Sequence, residues 1–231
     1  ARPVAEQLDL GIVPDLPRLA IAQEWKDQQR LWGHSFHPMC SYLASFPAAL
    51  THAFIARYSR PGDVVLDPFS GRGTTPLQAC AEGRIGAGND LNPLAHLLTA
   101  AKVDPPTRPE TATRLATLRL GWLRDAPDWD ALADRVIADP TGSGALVPRV
   151  NEPTGPGGGT EQVPVEVALA FHRRTLGQLL YLRSTLRIEE RVDRFLLAAL
   201  TGILHGKSPT YLSEIMPNTF SMAPRYVRDF A

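Results

Sequence analysis

The run Val64-Val65-Leu66-Asp67-Pro68-Phe69-Ser70-Gly71-Arg72-Gly73-Thr74-Thr75 closes three apolar residues with an acid, then places two glycines and two threonines in close succession. Glycines at such a point permit positive φ and let a ligand approach the main chain closely. Where a helix follows directly, its unpaired amides favour anionic or electron-rich groups at the same place. The residue types therefore suit a nucleotide-like cofactor. The plainer alternative is a structural glycine turn with no ligand.

A strand must deliver the acid and a helix must receive the glycines. Pro61-Gly62-Asp63 is a turn signal, and the β-branched run 64–66 after it predicts a strand buried on both faces of a parallel sheet. Residues 75–82 predict a helix with Leu77 and Cys80 on one face and Gly83 just past its end. What is missing narrows the ligand. A phosphate-cradling P-loop needs Gly-Lys-Ser/Thr, and here Gly73 is followed by Thr74. A dinucleotide fingerprint wants a third glycine where Pro76 stands, and an acid at the strand end would repel a pyrophosphate. An acid there suits a positively charged cofactor, and S-adenosylmethionine carries both an ammonium and a sulfonium.

The stretch from Asp67 to Thr75 resembles the cofactor motif of the amino-group DNA methyltransferases, the N4-cytosine/N6-adenine family, written Asp-Pro-Phe-x-Gly-x-Gly-Thr-Thr. Two further segments match in order. Asp90, Asn92 and Pro93 fit the family's Asp-x-Asn-Pro pattern, with the acid roughly 20 residues after the first strand, where it binds ribose hydroxyls. Upstream, His37, Pro38, Phe46 and Pro47 match a segment that packs against the methionine end of the cofactor. The resemblance covers residues 32–103 most strongly. It implies S-adenosylmethionine as cofactor, with His37, Phe46, Pro47, Asp67, Pro68, Phe69, Gly71, Gly73, Thr74, Thr75, Asp90 and Asn92 around it. It implies double-stranded DNA as partner and methylation of an exocyclic amine, with cytosine N4 ahead of adenine N6. An RNA or small-amine methyltransferase and a non-catalytic cofactor- or DNA-binding module remain as alternatives.

The catalytic motif of that family is Asp/Asn/Ser-Pro-Pro-Tyr/Phe, which holds a flipped base. Asp104-Pro105-Pro106-Thr107 lacks the aromatic and reads as a proline-rich loop. Ser208-Pro209-Thr210-Tyr211 departs at its third position and follows a helix-like run. The expectation is that the catalytic motif lies beyond Ala231, in an incomplete chain, so catalytic residues stay unassigned.

Organisation follows from composition and spacing. The fold class expected is α/β, a Rossmann-like methyltransferase sheet with a mostly helical insertion and without the catalytic half. Residues 1–31 read as an arm, 32–108 as the cofactor half, 109–138 as helical, 139–160 as a flexible Pro/Gly linker, and 161–231 as helices followed by a DNA-facing loop. Helices are expected over 110–124, 129–138, 165–186 and 192–204. Lys and Arg total 24, as do Asp and Glu, so no global basic field draws in nucleic acid and any DNA contact is local. Lys207, Ser208, Tyr211, Asn218 and Arg225 are the DNA-binding candidates, on irregular chain able to reach phosphates and base edges. The arginines between residues 173 and 194 read more simply as a solvated helix face, since acids intersperse them. The two cysteines, Cys40 and Cys80, sit in apolar contexts without metal-ligand spacing. No metal and no membrane partner are expected, and the reading places the protein in the cytoplasm.

Overall fold

The computed structural model describes residue 28 and residues 32–42, 45–148, 160–206 and 211–213. Among them, seven α-helices and two small sheets succeed one another as α1 (Ala48–Tyr58), β1 (Val64–Asp67), α2 (Thr74–Ala81), β2 (Ile85–Gly88), α3 (Pro93–Val103), α4 (Arg108–Ala138), β3 (Leu146–Pro148), β4 (Thr160–Gln162), α5 (Val165–Ala170), α6 (Arg173–Thr185) and α7 (Arg191–Ile203). The fold is mixed α/β. The expected arm of residues 1–31 lies, but for Gln28, outside the described residues.

β1, α2 and β2 form a parallel βαβ unit in which Val64 pairs with Ile85 and Asp67 with Gly88. Gly86 and Gly88 let α2 lie directly on β2: a Cβ on Gly86 would overlap the carbonyl of Pro76, and one on Gly88 would come within 3.0 Å of the Pro76 ring. Leu77 and Ala79 carry the buried face of α2. The strand 64–66 is not buried on both faces, as its apolar run predicts. Val64 is 65% exposed and Leu66 63%. Apolar residue type reports a strand that expects cover, whereas exposure depends on neighbours, and among the described residues β1 pairs only with β2.

Helix boundaries have local causes. Asn92 caps α3 by accepting the Leu94 amide at 2.9 Å, and Pro93 fills the first helical position, where no amide partner is needed. At α4 a capping box closes the start, with Thr107 accepting the Glu110 amide and the Glu110 carboxylate accepting the Thr107 amide at 2.7 Å. The helices expected over 110–124 and 129–138 are one: α4 runs unbroken through Pro127. The carbonyl that Pro127 deprives of a partner belongs to Leu123, itself 63% exposed, so water can satisfy it. Conversely, the helix expected over 165–186 is two. Phe171 turns extended and is buried, and the His172 side chain accepts the Arg174 amide to start α6.

The linker expected over 139–160 is also corrected in part. Its ends pair as an antiparallel ladder, Leu146 with Gln162 and Pro148 with Thr160, while residues 149–159 lie outside the described residues. Val147 and Val163 from this hairpin join Leu132, Ala133, Val136, Leu176 and Leu180 in one buried cluster between α4 and α6. A second cluster, Cys40, Leu97, Leu98, Ala101 and Ala198, packs α7 against α3 and so ties the helical half to the βαβ unit. Among the described residues no helix is long and apolar enough to cross a membrane.

Candidate functional site

The loops after β1 and β2 meet. Asp67 closes β1, its carboxylate accepting the Phe69 amide at 3.0 Å and its carbonyl accepting the Asn89 amide at 2.9 Å. The chain then turns through Gly71 and Gly73, at φ +50° and +77°, before α2 begins at Thr74. Asp90, after β2, accepts the Gly71 amide at 2.8 Å with one oxygen and the Asn92 amide at 2.9 Å with the other. Its carboxyl is held below the usual carboxylate value by the Asn92 amide and then the Gly71 amide. Each oxygen keeps a lone pair for a hydroxyl donor from outside. Asn92, besides capping α3, donates from its amide to the Tyr42 hydroxyl at 3.1 Å.

The side chains around this junction divide into exposed apolar groups and buried polar ones. Phe69 is 85% exposed and Leu91 fully exposed, one on each loop at the carboxyl ends of two parallel strands. Pro68 is exposed beside Phe69. The Thr74 hydroxyl is buried at the first residue of α2 and has no hydrogen-bond partner among the described residues. Thr75 faces the other way, into a cavity of about 530 Å³ between α1 and β1. Phe46 lines that cavity with Leu50, Phe54 and Val65, and Pro47 lies exposed before the start of α1.

His37 sits deeper, its Nε2 paired with Gln78 Oε1 at 2.9 Å on the flank of α2. Gln78 in turn donates to Glu82, which also holds His52 at 2.7 Å. Because the Gln78 amide nitrogen is turned to Glu82, its oxygen faces the ring and His37 Nε2 is the donor. Burial lowers the pKa of His37. The glycines serve packing as well as access. A Cβ on Gly73 would come within 2.8 Å of the Thr99 Cα, so α3 presses on the turn from behind.

Two residues of this site escape the motif reading. Tyr42 lays its ring beside Gly71, 3.4 Å from where a Cβ there would stand, and its hydroxyl accepts from Asn92 on the second loop. Its place in the segment before Phe46-Pro47 is a signal that spacing alone does not single out. Lys102, 2% exposed, donates to the Arg72 carbonyl at 2.7 Å; a lone lysine in the apolar stretch 94–103 is its only trace in the sequence.

Of the DNA-binding candidates, Lys207, Ser208, Asn218 and Arg225 lie outside the described residues. Tyr211 packs its ring on Gly206, in a fold-back where Gly206 donates to the Ser213 carbonyl at 3.0 Å. Four of the arginines between residues 173 and 194 are ion-paired. Arg173 meets Asp134, Arg183 meets Glu161, Arg191 meets Glu110, and Arg194 reaches Asp104 at 3.3 Å. Asp104, first residue of the Asp-Pro-Pro-Thr stretch, is thus committed to arginines of α7.

Comparison with known proteins finds likenesses for part of the chain. A model described as DNA methylase, of the N6/N4 methyltransferases, matches residues 15–100. The Type II methyltransferase M.MjaII of Methanocaldococcus jannaschii is 34% identical over 70 residues, 30% of this chain and 13% of that protein. The Type II methyltransferase M.Cfr9I of Citrobacter freundii is 34% identical over 70 residues, 30% of this chain and 23% of its own. M.XycI of Xanthomonas campestris pv. cyanopsidis, also a Type II methyltransferase, is 35% identical over 69 residues. The matched stretch spans less than a quarter of each of these relatives. No solved structure matches.

Proposed function

We propose that the chain, whose residues 15–100 match the DNA methylase model, serves the transfer of a methyl group from S-adenosylmethionine to an exocyclic amine of a DNA base. The observation that carries this reading is the Asp90 bridge: one carboxylate joins the glycine turn to the second loop and still has lone pairs to offer a ribose. The residues present fit the cofactor. Thr74 brings a buried hydroxyl in want of a partner, and Phe69 and Leu91 bring apolar surface for a purine face. Asp67, Pro68, Gly71, Gly73, Thr75 and Asn92 complete the loops, and Phe46, Pro47 and His37 stand on the side of α1 and α2. The βαβ unit supports a Rossmann-like sheet.

The cofactor supplies an electrophilic methyl carbon on sulfur. The chain's own part is positioning: it holds the ribose through Asp90 and keeps the loops at fixed separation through Tyr42 and Asn92. We take double-stranded DNA as acceptor and cytosine N4 ahead of adenine N6, in the setting of restriction-modification. The free thiols of Cys40 and Cys80 suit a reducing cytoplasm.

One observation favours a second reading, a cofactor-binding module whose catalytic groups come from elsewhere: Asp104 is tied up by Arg191 and Arg194, so the Asp-Pro-Pro-Thr stretch is structural. Calorimetry with S-adenosylhomocysteine tests what both readings share. Wild type is expected to bind, and Asp90→Ala to bind about thirtyfold more weakly. Equal affinity of the two proteins would remove Asp90 from the site. A methyl-transfer assay on duplex DNA then separates enzyme from module.

A further inference from the structure

We propose that Lys102 is a positioning residue for the cofactor turn: its buried side chain, reaching up from α3, holds the carbonyl of Arg72 and so fixes the conformation of the turn from Gly71 to Gly73. The proposal rests on the reading that this turn receives S-adenosylmethionine, and adds a residue that lies outside the motif, on the next helix but one.

The geometry is that of a grip. Lys102 lies in the last turn of α3, 2% exposed, with Nζ 2.7 Å from the Arg72 carbonyl oxygen. Arg72 is the residue between two glycines of positive φ, where the chain has left β1 and has not yet entered α2. Nearly one helical turn earlier, Thr99 places its hydroxyl 3.3 Å from that of Ser70, and its backbone closes on Gly73. Thr99 and Lys102 therefore fix Ser70, Arg72 and Gly73 from one side, while Asp90 fixes Gly71 from the other.

An ammonium is a costly group to use there. Burial lowers the Lys102 pKa to about 8, and the Arg72 guanidinium adds to that by repulsion. The Cys40 thiol acts in the opposite sense, and His37, on the same segment as Cys40, faces Lys102 as a further titratable neighbour. From α7 come Phe195 and Ala198, which pack apolar surface around Leu98 and Ala101. A methionine would fill the same volume in these surroundings without desolvating a charge. It would lack one thing, the donor to the turn.

The test compares wild type with Lys102→Met by hydrogen exchange of the turn amides, residues 68–76, and by calorimetry with S-adenosylhomocysteine. The Gly71 and Gly73 amides, bonded to Asp90 and to the Ser70 carbonyl, are expected to exchange about tenfold faster in Lys102→Met, with α6 unchanged and cofactor affinity down about tenfold. Lys102→Arg, which keeps a donor, is expected to recover part of both. Unchanged turn protection in Lys102→Met overturns the proposal whatever the calorimetry gives. A loosened turn in a protein whose wild type binds no S-adenosylhomocysteine upholds the grip and overturns the cofactor reading instead. If Lys102→Met does not fold, wild type decides: turn protection, corrected for intrinsic exchange, is expected to fall as pH rises through about 8, where the charge-assisted bond weakens. Protection that stays flat from about pH 7 to about 9.5 overturns the proposal.

Discussion

The glycine turn and the helical half handle polar groups in opposite ways. Around Ser70 to Gly73, charged and polar side chains are bound to main chain: Asp90 to two amides, Lys102 to a carbonyl, Asp67 to the Phe69 amide. In α4, α6 and α7, charges meet other charges at the surface, and the packing is carried by Leu132, Val136, Leu176 and Leu180. Carboxylates at helix ends depart from the contrast, Glu110 accepting the Thr107 amide and Asp139 the Gly144 amide, and so does Asp193, which is 3% exposed and takes Arg114 at 2.6 Å and the Arg187 amide at 3.0 Å. Side chains that fix backbone geometry prepare a site; side chains that neutralise one another leave little for a ligand to do. The turn still holds unmet capacity in Thr74, Phe69 and Leu91, and the helical arginines named above are matched with acids.

The sharpest way to break that contrast is a pair of substitutions of similar thermodynamic weight. Leu176 is fully buried between α4 and α6, and Leu176→Ala is expected to cost about 3 kcal/mol through the lost contacts and cavity. Gly73→Ala forces a Cβ within 2.8 Å of Thr99 backbone at φ +77°, and is expected to cost about 2–4 kcal/mol. Urea unfolding should rank the two together. Calorimetry on the folded fraction should separate them, with cofactor affinity intact in Leu176→Ala and lost in Gly73→Ala. Equal loss in both would mean that the two regions work as one site.

The same contrast governs what could be read from the sequence. The strand, the glycine turn and the helix after it were legible because each is specified within about ten residues by local chemistry: a β-branched run, residues tolerant of positive φ, an apolar helix face closed by Gly83. The family resemblance puts Asp90 and Gly71 around one cofactor, but the hydrogen bond between them was not legible, since the two are 19 positions apart. Exposure of Val64 and Leu66 was not legible, because residue type records which cover a strand requires and not what lies over it. Pro127 lies in the gap between the helices expected over 110–124 and 129–138, a gap that α4 closes. A proline costs a helix most where the freed carbonyl is buried, and at an exposed turn of α4 it is tolerated. Lys102 and Tyr42 were missed for a common reason, namely that each acts through a contact with a distant loop that no local pattern encodes.

Lys102 offers a test of intermediate size. Its pKa in the fold, about 8, lies below the ordinary lysine value of 10.5. Between those values the unfolded chain binds the proton and the fold does not, so stability rises with pH in that window and is flat below it with respect to this group. The gain from about pH 8 to about pH 10 is expected to be on the order of 2 kcal/mol. Other groups titrate there too, so the quantity to measure is the difference between wild type and Lys102→Met in urea midpoints across the window. Parallel curves would mean that Lys102 is not desolvated, and the turn would lose its most distinctive buried charge.

The smallest expected effect bears on whether the helical half is a DNA surface at all. Arg173 and Asp134 pair at 2.7 Å with both side chains 52% exposed, so Arg173→Ala is expected to change stability by no more than about 0.5 kcal/mol. On the proposed reading it should also leave the salt slope of duplex binding unchanged, while Lys207→Ala and Arg225→Ala each lower that slope by about one. Fluorescence anisotropy between about 50 and 200 mM salt measures the slopes. A phosphate reaching Arg173 has to displace a carboxylate already in contact with the guanidinium, and it leaves Asp134 unpaired beside a polyanion. That exchange gains no net charge pairing, which is why the helical arginines are expected to be silent. A drop of one in the slope of Arg173→Ala would show that the pair opens for DNA, and the division between a turn prepared for a ligand and a helical face already neutralised would no longer hold.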